Sequence, residues 1–439
     1  MIEITGKYTS AKIFNDDVEQ EAIAQIYDCV NSKAFDGQTI RIMPDCHAGK
    51  GSTIGFVSTF GNYVNPNMVG VDIGCMIDTM LYDKPVPKDK YAELNHKILK
   101  SIGFGFNMSP KKAYDEKKLY RFLTHEFNAA KSKHFAIFKD LPDNVTEKWV
   151  SEQLTRIGEE EAVFYNSINS VGGGNHFIEY GESDDGLHFG VTVHCGSRNF
   201  GVKVCNYWAN RAKGNKISKS EMKTLVEEYK STYLDTHKDM SKFDKDLNLY
   251  IESKKSGHIE GFLTGDNLHG YLCDMLFAQA YAKFNHKTIH NTIQGILLKY
   301  NIKPVHYVSS VHNYIDFDTN EPLIRKGAIR AYSGEEMVVP FNMRDGLAIC
   351  EGLSNSDWLC SCAHGAGRKM SRSKAKQSIS LDDFKDTMRG IYSTTVCEGT
   401  IDESPFAYKD TIEIRDLISS TCKIKYMLIP KINIKATDS

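Results

Sequence analysis

Five residues able to ligate a metal lie in short segments far apart in the chain. They are Asp72 and Cys75 in Val71-Asp-Ile-Gly-Cys75, His176 in Gly172-Gly-Gly-Asn-His-Phe-Ile-Glu179, His194 in His194-Cys-Gly-Ser-Arg198, and His312 in Val311-His-Asn-Tyr314. A histidine beside a glycine is more often a hydrogen-bonded structural residue than a ligand, so no one segment is specific. Together they offer one carboxylate, one thiolate and three imidazoles at strand ends or in turns. That exceeds the four ligands of a mononuclear zinc site and suits two borderline divalent ions, with a thiolate able to bridge them. Donor type does not choose the metal, because zinc outcompetes manganese in the divalent affinity series.

A sixth segment, Ser361-Cys-Ala-His-Gly-Ala-Gly-Arg-Lys-Met-Ser-Arg-Ser-Lys374, places an imidazole where a phosphate would bind. Gly365 and Gly367 permit close backbone approach, and the following residues can start a helix whose amides would face an anion. Arg368, Arg372 and Lys374 add positive charge. A neutral imidazole is a competent nucleophile near pH 7, so His364 could attack the α-phosphate of a nucleotide and form a phosphoramidate. The plain alternative is a glycine turn before a solvated basic helix.

The elements that must position these residues are mixed. Asp16 and Asp17 precede Val18, Ala22, Ile23, Ile26, Tyr27 and Val30, which predicts an amphipathic first helix. Strands are expected at 39–43, 54–60, 77–82, 187–194, 305–309, 336–339 and 423–435, with Pro44 to Gly51 as a loop. Helical periodicity dominates from about 87 to 165 and from about 205 to 300, the latter including Met222, Leu225, Val226 and Tyr229. The fold class is α+β. No linker, low-complexity tract or repeat divides the 439 residues, so a single catalytic domain over 1–439 is expected.

Composition sets outer limits. With 41% hydrophobic and 25% charged residues the chain can bury a large core. There is no signal-peptide pattern at the N-terminus and no apolar run approaching the roughly 18 residues of a membrane span, so a soluble, cytoplasmic protein without membrane contact is expected. An odd count of 11 cysteines without CxxC pairs fits core or metal-bound thiols better than disulfides. A net charge of −2 excludes a generally basic nucleic-acid binder, and any RNA contact must be a local patch. Arg325, Lys326, Arg330, Lys374 and Lys376 are the residues expected to form one.

The motif set Pro44-Asp-x-His47, Asp72-Ile-Gly-Cys75, Gly172-Gly-Gly-Asn-His-Phe-Ile-Glu179, His194-x-Gly-Ser-Arg198, His312-Asn-Tyr314, Arg325-Lys-Gly-Ala328 and His364-Gly-Ala-Gly-Arg368 resembles, in order and over nearly the whole chain, the RtcB family of RNA ligases. The resemblance implies two Mn²⁺ ions bridged by Cys75, with Asp72 and His176 on one side and His194 and His312 on the other. It implies GTP as co-substrate and His364 as the residue that carries GMP. Asn175, Glu179, His312, Asn313, Pro340, Asn342, Met343, Gly365, Ala366, Gly367 and Lys435 match nucleotide-site positions, while Asp45 and Arg198 match polar positions near the reacting phosphates. The implied substrates are RNA 3′-phosphate or 2′,3′-cyclic phosphate ends and 5′-hydroxyl ends, from cleaved tRNA, rRNA or other structured RNA. An activating protein partner is left open.

Three departures mark a divergent branch. Met76 stands where the family usually has glycine, Val339-Pro-Phe-Asn-Met-Arg-Asp-Gly346 replaces a segment usually resembling Ile-Pro-Gly-Ser-Met-Gly, and Ala436 follows Lys435. Two other readings compete: a metal-dependent phosphoesterase acting on RNA ends, and a non-catalytic RNA-end binder.

Overall fold

In this computed structural model, residues 1–109, 113–213, 226–233, 242–255 and 259–437 are described, with the backbone alone for 251–255. Met222 and Leu225 of the expected helical stretch lie outside the described residues. The chemistry-bearing segments border a seven-stranded, wholly antiparallel sheet. Its spatial order is Pro304–Val311, Met76–Tyr82, Phe189–Cys195, Phe177–Ser183, Cys422–Ile434, Gly346–Gly352 and Glu336–Asn342. The mixture of this sheet with long helices is the expected α+β class.

Strand periodicity sorts the residues of this sheet. Ile178, Tyr180, Val191, Val193, Cys195, Ile432 and Ile434 pack against Ile289, Ile293, Ile296 and Leu297. These last four belong to the 33-residue helix Gly265–Leu297. Side chains alternate between faces along a strand, so the intervening Phe177, Glu179, His194, Asn433 and Lys435 turn the other way, into a cavity. Two of the expected site residues and a metal-ligand candidate thus reach one wall because neighbours one position away are aliphatic and prefer the helix.

The second sheet has six strands, ordered Ile2–Thr5, Ser10–Ile13, Ile40–His47, Ile54–Thr59, Leu323–Lys326 and Asn313–Asp316, and only the second and third of these run parallel. Met43 and Val57 of this sheet share a core with Val339, Phe341, Ala348 and Cys350 of the first, which joins the two sheets behind the cavity. The expected loop at Pro44–Gly51 is a strand as far as His47. Its register against Ile54–Thr59 shifts between Ile42 and His47, and such a bulge admits a proline that cannot donate to the ladder. The first helix spans Gln20–Val30 and buries Ala22, Ile26, Cys29 and Val30. Asp16 falls outside it and pairs with the N-terminal amine.

Two residues of the expected RNA-guiding patch are not on the surface. Arg325 is 0% exposed, paired with Asp316 and donating to Ser361 Oγ at 3.0 Å. Lys326 is 3% exposed and donates to the carbonyls of Lys50 and Ser52, each at 2.7 Å, while burial pushes its ammonium down to about 8. Lys326 therefore holds the 48–52 loop rather than guiding a polyanion. Only Lys374 and Lys376 are well exposed, and Arg330 is half-buried against Glu335 and Asp316. Truncating one partner of a buried ion pair costs about 3–5 kcal/mol. Because Arg330 still reaches Asp316 at 3.2 Å, Arg325→Met is expected at the lower end, about 3 kcal/mol in urea unfolding.

Candidate active site

The inner face of the sheet opens on a cavity of about 570 Å³. Asp72 and Cys75 enter it from the turn before Met76–Tyr82, where Gly74 has φ +69 and donates its N–H to the Asn313 carbonyl at 2.7 Å. Only a glycine takes that backbone conformation without strain. Cys75 Sγ lies 3.4 Å from both His176 Nε2 and His194 Nε2, and Asp72 Oδ2 lies 3.1 Å from His176 Nε2. The His312 ring centroid is 5.3 Å from that of His194. All five expected metal ligands therefore line one cavity, with the ligand atoms of Cys75, His176 and His194 within 4.8 Å of one another and Asp72 and His312 on either side.

This donor set fits a divalent cation. His194 Nδ1 faces the carbonyl of Asn175 at 3.1 Å. A carbonyl only accepts, so the proton sits on Nδ1 and the Nε2 lone pair faces the thiol. Burial and the neighbouring imidazoles hold His194 and His312 well below the usual histidine range, in their neutral, ligating form. Burial also opposes charge on Asp72, but His176, Cys75 and Arg198 together keep it below the usual carboxylate range. Burial and the charge of Asp72 push the Cys75 thiol far up. A thiolate forms in such surroundings beside a cation. Asp72 Oδ2, His176 Nδ1 and His312 Nδ1 are buried and make no hydrogen bond among the described residues.

His364 stands next to this cluster, its ring centroid 4.8 Å from that of His312. It follows the short strand Ser361–Ala363, which pairs with Ala328–Arg330. Asp45, 0% exposed, accepts from His364 Nδ1 at 2.6 Å and from its backbone N–H at 3.2 Å. The carboxylate fixes the proton on Nδ1 and leaves the Nε2 lone pair as the reactive position. Gly367, at φ +73, lets the turn close on Asp45, since a Cβ there would lie 2.3 Å from the Asp45 carbonyl oxygen. The helix expected after this turn begins only at Arg372, runs seven residues to Ser378, and is capped by Ser371.

The expected nucleotide-site residues surround the same cavity. Asn175, Glu179, His312, Asn313, Pro340, Asn342, Met343, Gly365, Ala366, Gly367 and Lys435 all line it. Asn313 ties the wall together, donating to the Asp72 carbonyl at 3.0 Å and accepting from Gly327 N–H at 2.9 Å. Asn342 is turned back on its own hairpin: its Oδ1 accepts from the N–H groups of Arg344 and Asp345, and its amide donates to Asp345 at 2.8 Å. Asp45 and Arg198 are the two expected residues that do not line the cavity. Asp45 sits behind His364. Arg198, at φ 56, donates to Ser170 Oγ at 3.0 Å and to the Gly105 carbonyl at 2.6 Å, behind the Gly172 loop.

Glu403, Tyr408 and Asn433, which support the expected Lys435 and Glu179, carried no sequence signal. Lys435, 3% exposed, donates to Glu403 at 3.1 Å and to the carbonyls of Gly174 and His176 at 3.2 and 3.3 Å, so it bolts the His176 loop in place. Glu403 also pairs with Arg368 at 3.3 Å and Arg372 at 2.8 Å, and accepts from Tyr408 at 2.6 Å. Burial works against its charge, but Lys435, Arg372 and Arg368 prevail and hold it at about 2. Glu179 differs: burial raises it to about 8 despite Asn433 and Lys435, so near neutral pH it can donate a hydrogen bond into the cavity. Asn433, which donates to Glu179 at 2.7 Å, is two residues before Lys435, and strand alternation from Lys435 would have found it.

A cavity that gathers metal donors and a carboxylate-oriented histidine defines a metal-binding enzyme site, and the comparisons specify which kind. The chain belongs to the tRNA-splicing ligase RtcB family, whose model matches residues 28–436. It is similar to RNA-splicing ligase RtcB of Escherichia coli K12, 28% identical over 420 residues covering 90% of each chain. Similarity extends to RNA-splicing ligase RtcB2 of another E. coli strain, 24% identical over 415 residues with 89% of this chain and 85% of that one covered. The tRNA-splicing ligase RtcB of Nanoarchaeum equitans is 24% identical over 409 residues, covering 85% and 82%. Membership makes this chain an RNA ligase with a metal cofactor, and among the described residues no helix is long and apolar enough to cross a membrane.

Two substitutions test the wall. A Cβ at Gly196 would lie 2.2 Å from Asp72 Oδ1, so Gly196→Ala is expected to displace that carboxylate and weaken metal binding at least 10-fold, read by calorimetric titration. Glu403 has a folded value of about 2 against an ordinary 4.5. Its lowered pKa means the stabilisation is complete above 4.5 and is lost as pH falls through about 2. Glu403→Gln should therefore destabilise by about 3 kcal/mol at pH 7, with the gap from wild type in urea unfolding narrowing below pH 4.5.

Proposed function

We propose that this chain joins RNA 3′-phosphate ends to 5′-hydroxyl ends with GTP as co-substrate, using His364 as the nucleophile. The observation that carries this reading is the buried Asp45 carboxylate on His364 Nδ1, 2.6 Å away, beside the five-donor cluster. That arrangement leaves Nε2 unprotonated and facing a cavity large enough for a nucleotide. A pure RNA-end hydrolase needs the metal donors but no oriented imidazole, and a pure binder needs neither.

In the first step His364 Nε2 attacks the α-phosphorus of GTP, the bond to the β-phosphate oxygen breaks, and pyrophosphate leaves. An oxygen of the RNA 3′-phosphate then attacks the same phosphorus, the phosphorus–nitrogen bond breaks, and the RNA end carries GMP. The RNA 5′-hydroxyl finally attacks the 3′-phosphate and expels GMP. A 2′,3′-cyclic phosphate is first opened by water to a 3′-phosphate. Asp45 stabilises the positive charge on the ring in the first step, and the walls set by Glu179, Asn313 and Pro340 orient the nucleotide for in-line attack.

Asp72, Cys75, His176, His194 and His312 would hold two Mn²⁺, which supply charge neutralisation on the phosphate oxygens. The exposed Lys374 and Lys376 lie on the helix that follows the His364 turn and suit contact with the RNA backbone. The altered hairpin at 339–346, in which Asn342 and Asp345 satisfy one another, favours a narrower repair role over general tRNA splicing. Comparing cleaved tRNA with broken rRNA and other structured RNA tests that branch, and equal or better joining of tRNA halves removes it.

Incubation with α-labelled GTP and Mn²⁺ should give an acid-labile covalent label that is absent from His364→Ala. Asp45→Asn should slow labelling on the order of 10³-fold or more by presenting the wrong tautomer. An unlabelled wild type overturns the mechanism, and label surviving on H364A moves the nucleophile elsewhere. RNA with 3′-phosphate and 5′-hydroxyl ends then distinguishes joining from trimming.

A further inference from the structure

The opposite face of the seven-stranded sheet carries a second cluster of metal-binding side chains. Asp78, on Met76–Tyr82, meets His286 and His290 of the helix Gly265–Leu297, and the three are 0%, 0% and 4% exposed. One ligand atom from each lies within 4.8 Å of the others. The histidines are four residues apart, so both rings leave the same face of the helix. Asp78 is three residues beyond Cys75 and points away from the cavity.

His286 fixes the chemistry. Its Nε2 lies 2.9 Å from the Cys195 carbonyl oxygen, and a carbonyl only accepts, so Nε2 holds the proton. In the neutral ring Nδ1 then presents a lone pair 3.0 Å from an Asp78 carboxylate oxygen, and that carboxylate draws positive charge into the gap, holding His286 above the usual histidine range despite burial. Asp78 also accepts from the hydroxyls of Tyr307 and Ser309, the latter at 2.7 Å. A lone pair and a carboxylate at that separation repel unless a cation joins them. A proton would satisfy Asp78 and His286 and leave His290 unused. Yet both ring nitrogens of His290 are buried with no hydrogen-bond partner among the described residues. A divalent ion uses all three side chains. The surroundings match those of metal ligands, in which the second imidazole N–H rests on a carbonyl and the carboxylate is held by further donors.

We propose that Asp78, His286 and His290 form a second, buried site for one zinc ion, structural in role and separate from the cavity. Two imidazoles and a carboxylate suit zinc, and the Tyr307 hydroxyl, already on Asp78, is at hand as a fourth donor. The ion pins the long helix to the strand that continues from Cys75 and, through the Cys195 carbonyl, to the strand that carries His194.

The test is zinc content by plasma mass spectrometry on the full chain, produced with zinc and dialysed against EDTA. Wild type and His290→Cys, which keeps a ligand, are expected to hold one more zinc per chain than His290→Gln. Equal zinc in wild type and folded H290Q overturns the site, and so does a wild type that holds no zinc after dialysis, because a proton then joins Asp78 to His286. Should H290Q fail to fold, the same one-zinc difference is read on Asp78→Asn.

Discussion

Desolvated lone pairs that no group among the described residues satisfies are the constraint around which this structure is arranged. A thiol, a carboxylate and three imidazoles gather around Cys75, and Asp72 Oδ2, His176 Nδ1 and His312 Nδ1 have no hydrogen-bond partner among the described residues, a grouping that costs several kcal/mol if no cation enters. Neighbouring features serve to hold it. Gly74 and Gly196 bring backbone close, Asn313 ties two loops across it, and Lys435 clamps the His176 loop from the far side. None of these contacts would be required if the cluster could relax toward solvent.

The cluster in turn sets how the two sheets are used. Antiparallel strands carry alternate residues to opposite faces, so a single sheet can give its aliphatic set to the long helix and its polar set to a cavity. His194 and Glu179 take the cavity side because Val193, Cys195, Ile178 and Tyr180 take the other. The six-stranded sheet then contributes Asp45 from behind, through a bulged strand whose proline fits only because the ladder is interrupted there. Orientation of the reactive histidine and placement of the donors thus come from different sheets, joined by the shared apolar layer of Met43, Val57, Val339 and Phe341.

Much of the site was legible from residue type and spacing, since histidine, aspartate and cysteine next to glycine mark places where backbone approaches something closely. Their convergence at one cavity follows from strand order, which no local pattern reveals. The failures share a cause. Arg325 and Lys326 read as surface charge because sequence records the side chain and not its partner, and Asp316 and the carbonyls of Lys50 and Ser52 are what make burial tolerable. Glu403 carried no sequence signal for the same reason, although Lys435, Arg368 and Arg372 meet on it. The first helix begins at Gln20, later than its acidic prelude suggested, and Asp16 pairs instead with the N-terminal amine.

Among the described residues the strand Cys422–Ile434 comes last in chain order, yet it sits inside the seven-stranded sheet, between Phe177–Ser183 and Gly346–Gly352. During synthesis both neighbours wait with open hydrogen-bonding edges until residues 422–434 have left the ribosome. The pocket lacks its far wall throughout that interval. A nascent chain short of these residues therefore lacks Asn433 and Lys435 on the cavity wall and is prone to stray edge pairing, so the cavity closes in one step rather than gradually.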